Sequence, residues 1–193
     1  MPTTLDRART AVLIMDYQND ILLRFTQIDD ETLTRAARVL DAARAAGVPV
    51  IYVRIAFRAG YPEVPEQGMF AMARDSGRLV DGTEGADIHA AVAPQPGDTV
   101  VLKKRVGAQT GSDLQQVLSA KRRTHLVLFG VSTSGVVLST IRWAADQDYT
   151  MNVVSDCCID RDPEVHRVLI DKVFAGMAPA ITAADAIAAL GAA

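Results

Sequence analysis

Short, continuous runs of apolar residues alternate along the chain with segments in which apolar side chains recur every three or four positions. The runs have the length of strands covered on both faces, and the alternation is typical of a parallel sheet flanked by helices. The predicted strands are 11–15, 48–53, 99–103, 125–129, 151–155 and a short edge strand, 180–181. The pattern therefore predicts a three-layer α/β/α fold with a mostly parallel central sheet.

Helix start and stop signals lie between these strands. Asp29 or Asp30 is predicted to cap a helix that ends at Gly47. Further helices are predicted over 112–120, from a Thr133 cap to about 147, from Pro163 to about 174, and over 183–190 with Thr182 as cap. Segment 56–97 is rich in glycine and proline, so we expect a loop region that walls one side of a site and holds one short helix near 88–92.

Composition narrows the class of protein. The 193 residues are 49% apolar and 22% charged, which fits a single globular domain over 1–193. The net charge is −3, whereas a nucleic-acid binder is expected to carry a strongly basic surface. No apolar run reaches the ~18 residues that a membrane span requires. The two cysteines, Cys157 and Cys158, are adjacent and poorly placed for a disulfide. We expect a cytoplasmic protein with buried thiols, bound neither to nucleic acid nor to membrane.

Chemically competent side chains follow three of the predicted strands. Asp16 comes directly after the first, Lys103 ends the third, and a turn from Gly130 to Val136 follows the fourth. The carboxyl ends of parallel strands meet at one edge of a sheet, where ligands bind. Pairing there would lower the pKa of the aspartate and raise that of the lysine, while burial would oppose both shifts. Each residue alone would be read as a turn or surface residue; together they predict a catalytic site.

Segments 11–18, 99–105 and 126–140 resemble the isochorismatase-like superfamily, also called the cysteine hydrolases. Its turn reads G-x-x-T-x-x-C-V-x-x-T; here Gly130, Thr133 and Thr140 fit, and Val136 stands in the place of the nucleophilic cysteine. The resemblance implies a Rossmann-like fold, a homodimer or homotetramer, Asp16 as general acid/base and Lys103 as its partner. It also implies an oxyanion or substrate turn with a cis peptide between its first two residues. The turn residues are Val131, Ser132, Thr133 and Gly135.

Valine cannot act as a nucleophile, so the thiol chemistry of the family is excluded. The resemblance points instead to the family branch that cleaves a vinyl ether without a covalent intermediate, in which the aspartate protonates carbon. That branch has glycine where this chain has Val136, and aromatic residues after the lysine where this chain has Val106 to Gln109. We predict a small-molecule hydrolase that uses no cysteine, with isochorismate-like enol ethers as the best-supported substrate class.

Two other functions stay open. In the first, the chain is a catalytically silent family member that binds a small ligand or a partner protein. In the second, it is an amidase whose nucleophile is Ser132, Ser134 or an activated water molecule. An Asp16→Asn variant is expected to separate catalysis from a structural role.

Four further residues are candidates for substrate binding: Gln18, Phe57, Arg58 and Arg105. Each arginine suits a carboxylate, or equally a surface ion pair, and Phe57 suits a pocket wall or a loop anchor. The three histidines, His89, His125 and His166, are not spaced as metal ligands, and His166 fits a supporting role. We therefore expect neither a metal nor a cofactor.

Overall fold

A computed structural model describes residues 5–25 and 28–192 of the chain. Its centre is a six-stranded sheet in which every strand pair is parallel. The strands are β1 (Thr10–Met15), β2 (Val50–Ile55), β3 (Thr99–Lys103), β4 (His125–Gly130), β5 (Thr150–Val154) and β6 (Ala180–Ile181). Their order across the sheet is β3-β2-β1-β4-β5-β6. The predicted α/β fold with a parallel sheet is confirmed.

Seven α-helices connect and cover these strands in the described residues. They are α1 (Asn19–Leu22), α2 (Asp30–Ala45), α3 (Ala71–Asp75), α4 (Leu114–Ala120), α5 (Leu138–Asp146), α6 (Pro163–Val168) and α7 (Ala183–Gly191). A π-helical turn, Thr133–Val137, leads into α5, and a second, Leu169–Val173, continues α6. None of the helices in the described part of the chain has the length and apolar character that crossing a membrane requires.

The three layers follow from the order of the strands. The chain moves from β1 to β2 toward one edge, and from β3 to β4 and on to β5 toward the other edge. Because crossovers between parallel strands are right-handed, α2 lies on one face and α4 and α5 lie on the opposite face. Helix α7 packs against α2 and completes the first face. β1 therefore lies near the middle of the sheet with a helical layer on each side, and all six of its residues are buried.

The cap residues match the sequence signals with one correction. The Asp29 side chain accepts a hydrogen bond from the backbone N–H of Thr32, and Thr182 forms a reciprocal capping box with Asp185. The prediction that Thr133 caps the helix after β4 is wrong, because Ser132 is the cap and accepts from the backbone N–H of Gly135.

The loop region 56–97 contains more structure than the sequence pattern predicted. It includes the predicted short helix near 88–92, observed as a 3-10 helix at Ala90–Val92, and also α3. Both α1 and α3 were missed because four or five residues are too few to show a helical period. A second, smaller apolar cluster attaches this region to the sheet. Its buried members are Ile55, Phe57, Tyr61, Val64 and Leu79.

Gly130 ends β4 beside Met15 and leaves no space for a side chain. A Cβ atom there would lie 2.8 Å from the Met15 carbonyl oxygen and 2.9 Å from its Cβ. We expect Gly130→Ala to destabilise the protein by about 1–3 kcal/mol through overpacking. Denaturant unfolding measures this, with Gly176→Ala as the control because no atom would lie within 4 Å of the new Cβ. Equal unfolding midpoints for the two variants would contradict the expected close approach.

Candidate active site

The strand order reverses beside β1, and the predicted catalytic residues lie at that point. β2 and β4 flank β1, and the chain reaches them by connections that run in opposite directions. Such a reversal opens a crevice at the carboxyl ends of the strands. Asp16 follows β1 at this edge, and Val131 follows β4. Asp16 has a φ of 60°, a left-handed conformation that aspartate adopts more readily than most residues, and it ends β1 with a turn.

Asp16 and Lys103 form a buried ion pair. The Lys103 Nζ donates to Asp16 Oδ2 over 2.7 Å and to the Val106 carbonyl oxygen over 2.6 Å. The Lys103 side chain is fully buried and that of Asp16 is 9% exposed. Two strand spacings, about 10 Å, separate β3 from β1, so only a long side chain spans the gap. The structure thus joins two residues that are 87 positions apart in the sequence.

The two oxygens of Asp16 have different surroundings. Oδ2 accepts the lysine hydrogen bond, whereas Oδ1 is buried and has no hydrogen-bond partner within the described residues. Burial raises the pKa of Asp16, and the charge and hydrogen bond of Lys103 offset only part of that rise. A protonated carboxyl with one oxygen held by an ammonium and the other unpaired is suited to donate a proton to a ligand.

The two residues after Asp16 hold it in place. The Tyr17 hydroxyl donates to the Cys157 carbonyl oxygen, and its ring meets Phe129 edge-on. The Gln18 amide accepts from the backbone N–H of Ile55 and donates to the carbonyl oxygens of Ile55 and Ala86. Gln18 is fully buried, and these three hydrogen bonds engage its oxygen and both N–H groups. Its placement favours a role in positioning Asp16 over direct binding of substrate.

The turn after β4 is fixed by hydrogen bonds from several directions. Thr133 donates its backbone N–H to the Ile159 carbonyl oxygen, and its hydroxyl lies 2.8 Å from Nδ1 of His166. Burial lowers the pKa of His166, so this histidine is a neutral support at pH 7. The backbone N–H of Ser134 donates to Asp160 Oδ2 over 2.6 Å. The Val131–Ser132 peptide is cis, as the resemblance implies.

A cavity of about 580 Å³ opens onto the ion pair and the turn. Its size is typical of a small-molecule site. Asp16, Lys103 and Val136 line it together with Ser132 and Gly135. Val136 is only 2% exposed, and its Cγ1 would lie 3.2 Å from a Cβ placed on Gly130, so the isopropyl group packs over the end of β4.

The cavity contains no thiol. Both cysteines of the chain lie within the described residues, are buried, and are absent from the cavity lining. Burial, followed by nearby negative charge, raises the pKa of Cys157; burial raises the pKa of Cys158 to about 12. Neither sulfur is therefore a thiolate at neutral pH, as a nucleophile would have to be.

The other predicted binding residues, Phe57, Arg58 and Arg105, do not line the cavity. Phe57 is fully buried and packs against Phe70, which lines the cavity. Arg58 forms an ion pair with Glu63 over 2.8 Å. Arg105 donates to the carbonyl oxygens of Lys104 and Glu63, and its guanidinium lies 5.7 Å from the Phe70 ring centroid. Phe57 and Arg105 therefore support the wall through Phe70, whereas Arg58 is an exposed residue held by Glu63.

Several cavity-lining residues were not predicted from the sequence, among them six that are polar or have large side chains. These six come from the segment around α1, from α3 with its preceding loop, and from the loop after β5. They are Arg24, Phe25, Met69, Met72, Asp160 and Arg161. Only the tertiary fold brings these segments together, and no spacing along the chain signals it.

The histidines take part in local hydrogen bonds. His89 Nδ1 accepts from the backbone N–H of Ala91, and His125 Nε2 lies 2.9 Å from the Asn152 side-chain oxygen. Across residues 5–25 and 28–192, no group of three or more His, Cys, Asp and Glu side chains is arranged to hold a metal ion.

The chain is similar to known proteins in sequence and in fold. Residues 10–185 match the family model described as the isochorismatase domain. The chain is 28% identical to Ureidoacrylate amidohydrolase RutB of Methylobacterium radiotolerans over 195 residues, 89% of this chain and 76% of that protein. It is also 28% identical to a "Probable isochorismatase" of Pseudomonas chlororaphis over 186 residues, 95% and 87% of the two chains. An isochorismatase family protein of Burkholderia thailandensis superposes with a TM-score of 0.85 at 27% identity over 100% of both chains.

The buried pair makes a testable contribution to stability. In Asp16→Asn the Lys103 ammonium remains buried without a counter-charge, so we expect a loss of about 3 kcal/mol of unfolding free energy. The double variant Asp16→Asn/Lys103→Met removes that charge and should recover part of the loss, as denaturant unfolding would show. Glu164→Gln, which breaks an exposed pair with Arg167, serves as the control and should leave stability unchanged. A fully stable Asp16→Asn variant would contradict the role of the pair.

Proposed function

The chain belongs to the isochorismatase family, and from that premise we propose that it hydrolyses a small molecule without a cysteine nucleophile. Asp16 acts as general acid and base, Lys103 is its electrostatic partner, and isochorismate-like enol ethers are the substrate class. The observation that carries the proposal is that Asp16 lines the cavity and has a buried carboxyl group, one oxygen of which has no hydrogen-bond partner among residues 5–25 and 28–192.

In the proposed reaction the Asp16 carboxyl donates its proton to the terminal vinyl carbon of the substrate. The π electrons form the new C–H bond and leave an oxocarbenium ion. Water adds to this ion and returns one proton to Asp16, giving a hemiketal. The carbon–oxygen bond of the hemiketal then breaks with transfer of the hydroxyl proton to the leaving oxygen, and a ketone and an alcohol result. Every step uses a proton that Asp16 or water supplies, so no covalent enzyme intermediate is needed.

Lys103 supports both protonation states of Asp16. When Asp16 is protonated, the lysine hydrogen bond occupies Oδ2 and leaves Oδ1 without a hydrogen-bond partner among the described residues. When the proton has moved to carbon, the ammonium stabilises the carboxylate that forms in a buried setting. The Val106 carbonyl oxygen, which accepts a second lysine hydrogen bond, fixes the direction of the ammonium.

Val136 bears on the choice of substrate. Its buried isopropyl group occupies part of the turn that the substrate must approach. A site of about 580 Å³ remains beside it, ample for a substituted six-membered ring. The proposal therefore names a class of enol ether and leaves the ring substituents open.

An amidase is the second candidate, favoured by the similarity to a protein named Ureidoacrylate amidohydrolase. Its nucleophile would be Ser132, Ser134 or water. The Ser132 hydroxyl accepts from the backbone N–H of Gly135, and no histidine lines the cavity among the described residues. A serine there lacks the usual base. Ammonia release from a panel of small amides would establish this activity.

A silent binding protein is the third candidate, and the substitution at Val136 is its only support. Loss of stability in Asp16→Asn does not separate it from an enzyme, because the buried lysine loses its partner in either case. Turnover does separate them.

The proposal also includes a cytoplasmic location, consistent with two unpaired cysteines, and assembly into a dimer or tetramer, which sedimentation would test.

Pyruvate release from isochorismate tests the proposed chemistry. We expect turnover by the wild type and a fall of at least about 100-fold in Asp16→Asn, because the general acid is lost. Asp113→Asn, an exposed change of the same type at the start of α4, should keep full activity. Equal turnover in the wild type and Asp16→Asn would exclude Asp16 as the acid, and no turnover in any protein would remove isochorismate as substrate.

The pH dependence of turnover follows from the direction of the Asp16 shift. Burial raises the pKa of Asp16, and the protonated form is the active one. We therefore expect kcat/KM to be constant at low pH and to fall as the pH rises through the raised pKa of Asp16, above the ordinary aspartate value. A profile that instead rises over that interval would indicate that the carboxylate acts as a base on the free enzyme.

A further inference from the structure

Two arginines that take no part in the proposed chemistry line the same cavity as Asp16 and Lys103. Arg24 follows α1, and Arg161 lies in the loop after β5, so the fold brings them together from segments 137 residues apart. Both residues are exposed, whereas Lys103 is fully buried. The arginines therefore belong to the open end of the cavity and the ion pair to its closed end.

Arg24 carries a positive charge at the open end of the cavity. None of the ion pairs formed within residues 5–25 and 28–192 includes it, and its Nη2 contacts the Met72 sulfur at 3.7 Å. Burial, followed by the charges of Arg161 and Arg78, lowers the pKa of Arg24. A guanidinium among other cations at a cavity mouth creates a positive potential that attracts an anion.

Arg161 is positioned by the same residues that hold the turn. Its guanidinium carbon lies 5.5 Å from the centre of the Phe25 ring. Its backbone N–H donates to Asp160 Oδ1 over 2.9 Å, and Asp160 Oδ2 accepts from the backbone N–H of Ser134. Asp160 thus links the backbone of Arg161 to the turn that carries Val136. This link fixes the position of Arg161 relative to the part of the cavity where the substrate reacts.

The charges that line the cavity are unbalanced. Three cationic groups, Arg24, Lys103 and Arg161, stand against two acidic ones, Asp16 and Asp160. The net charge is +1 with all five groups ionised, and +2 when Asp16 is protonated. The acid form of the site, which the proposed reaction requires, therefore favours an anionic ligand more strongly than the ionised form does.

We propose that the substrate is a small carboxylate with an apolar body, whose carboxylate binds between Arg24 and Arg161 while its reacting group meets Asp16. The arginine forks match a carboxylate, and the body lies against Phe25, Met69, Phe70 and Met72. The negative charge of the bound carboxylate disfavours ionisation of Asp16, so substrate binding itself favours the acid form. This inference rests on the proposed function only for the chemical identity of the substrate group that meets Asp16.

Binding of benzoate and of benzamide, measured by isothermal titration calorimetry, tests the inference. The two probes share a planar ring and differ in charge. We expect the wild type to bind benzoate at least about tenfold more tightly than benzamide. Arg24→Gln and Arg161→Gln should each weaken benzoate binding about tenfold and leave benzamide binding unchanged. Arg38→Gln, the same change at an exposed position of α2 outside the cavity lining, should alter neither.

Arg24 and Arg161 are exposed, so we expect both variants to fold normally, and equal thermal unfolding midpoints would exclude misfolding as the cause of lost binding. Equal affinity for the two probes, undetectable benzoate binding at millimolar concentration, or benzoate binding that survives both substitutions would overturn the inference. Since the readout is binding, it is independent of turnover. Arginine-dependent benzoate binding without isochorismate turnover would leave the carboxylate site standing and remove the enol ether chemistry.

Discussion

The site depends on two opposite charges that the fold keeps out of water. Asp16 and Lys103 are each costly to bury alone, and together they tolerate burial because the lysine satisfies one carboxyl oxygen and the Val106 carbonyl oxygen accepts a further hydrogen bond. The pair forms only if β1 and β3 end at the same edge and if Asp16 turns in the left-handed conformation. Tyr17 and Gln18 hold that turn, and Gly130 allows β4 to lie against it.

Much of this arrangement could be predicted because it follows from local pattern. Continuous apolar runs marked the strands, since strands covered on both faces have no polar side to alternate with. The positions of Asp16 and Lys103 at strand ends then followed from topology. Local pattern did not show which partners the individual side chains bind in the folded protein. Gln18 and Arg58 had the right chemistry for ligands, and the structure satisfies them with the Ile55 backbone and with Glu63.

The mouth of the cavity could not be predicted for a related reason. Arg24, Asp160 and Arg161 lie in loops without periodicity, and their nearness results from the packing of α1 beside the loop after β5. The sequence prediction named Thr133 as the helix cap, although serine caps helices at least as well as threonine. The structure chose Ser132 because the hydroxyl of Thr133 lies against His166 in the core. In each case a long-range contact decided between options that were locally equivalent.

β3 is an edge strand, with β2 as its only neighbour in the described sheet, and its Val100 is 45% exposed. Lys103 is the last residue of this strand. Local opening of an edge strand needs less free energy than unfolding of the whole domain, because fewer hydrogen bonds and contacts are lost. Such fraying would withdraw the ammonium from Asp16 while β1 and β4 stay paired. We therefore expect activity to be lost on heating at temperatures below the global melting transition, because one edge of the sheet opens first. This loss should be reversible on cooling.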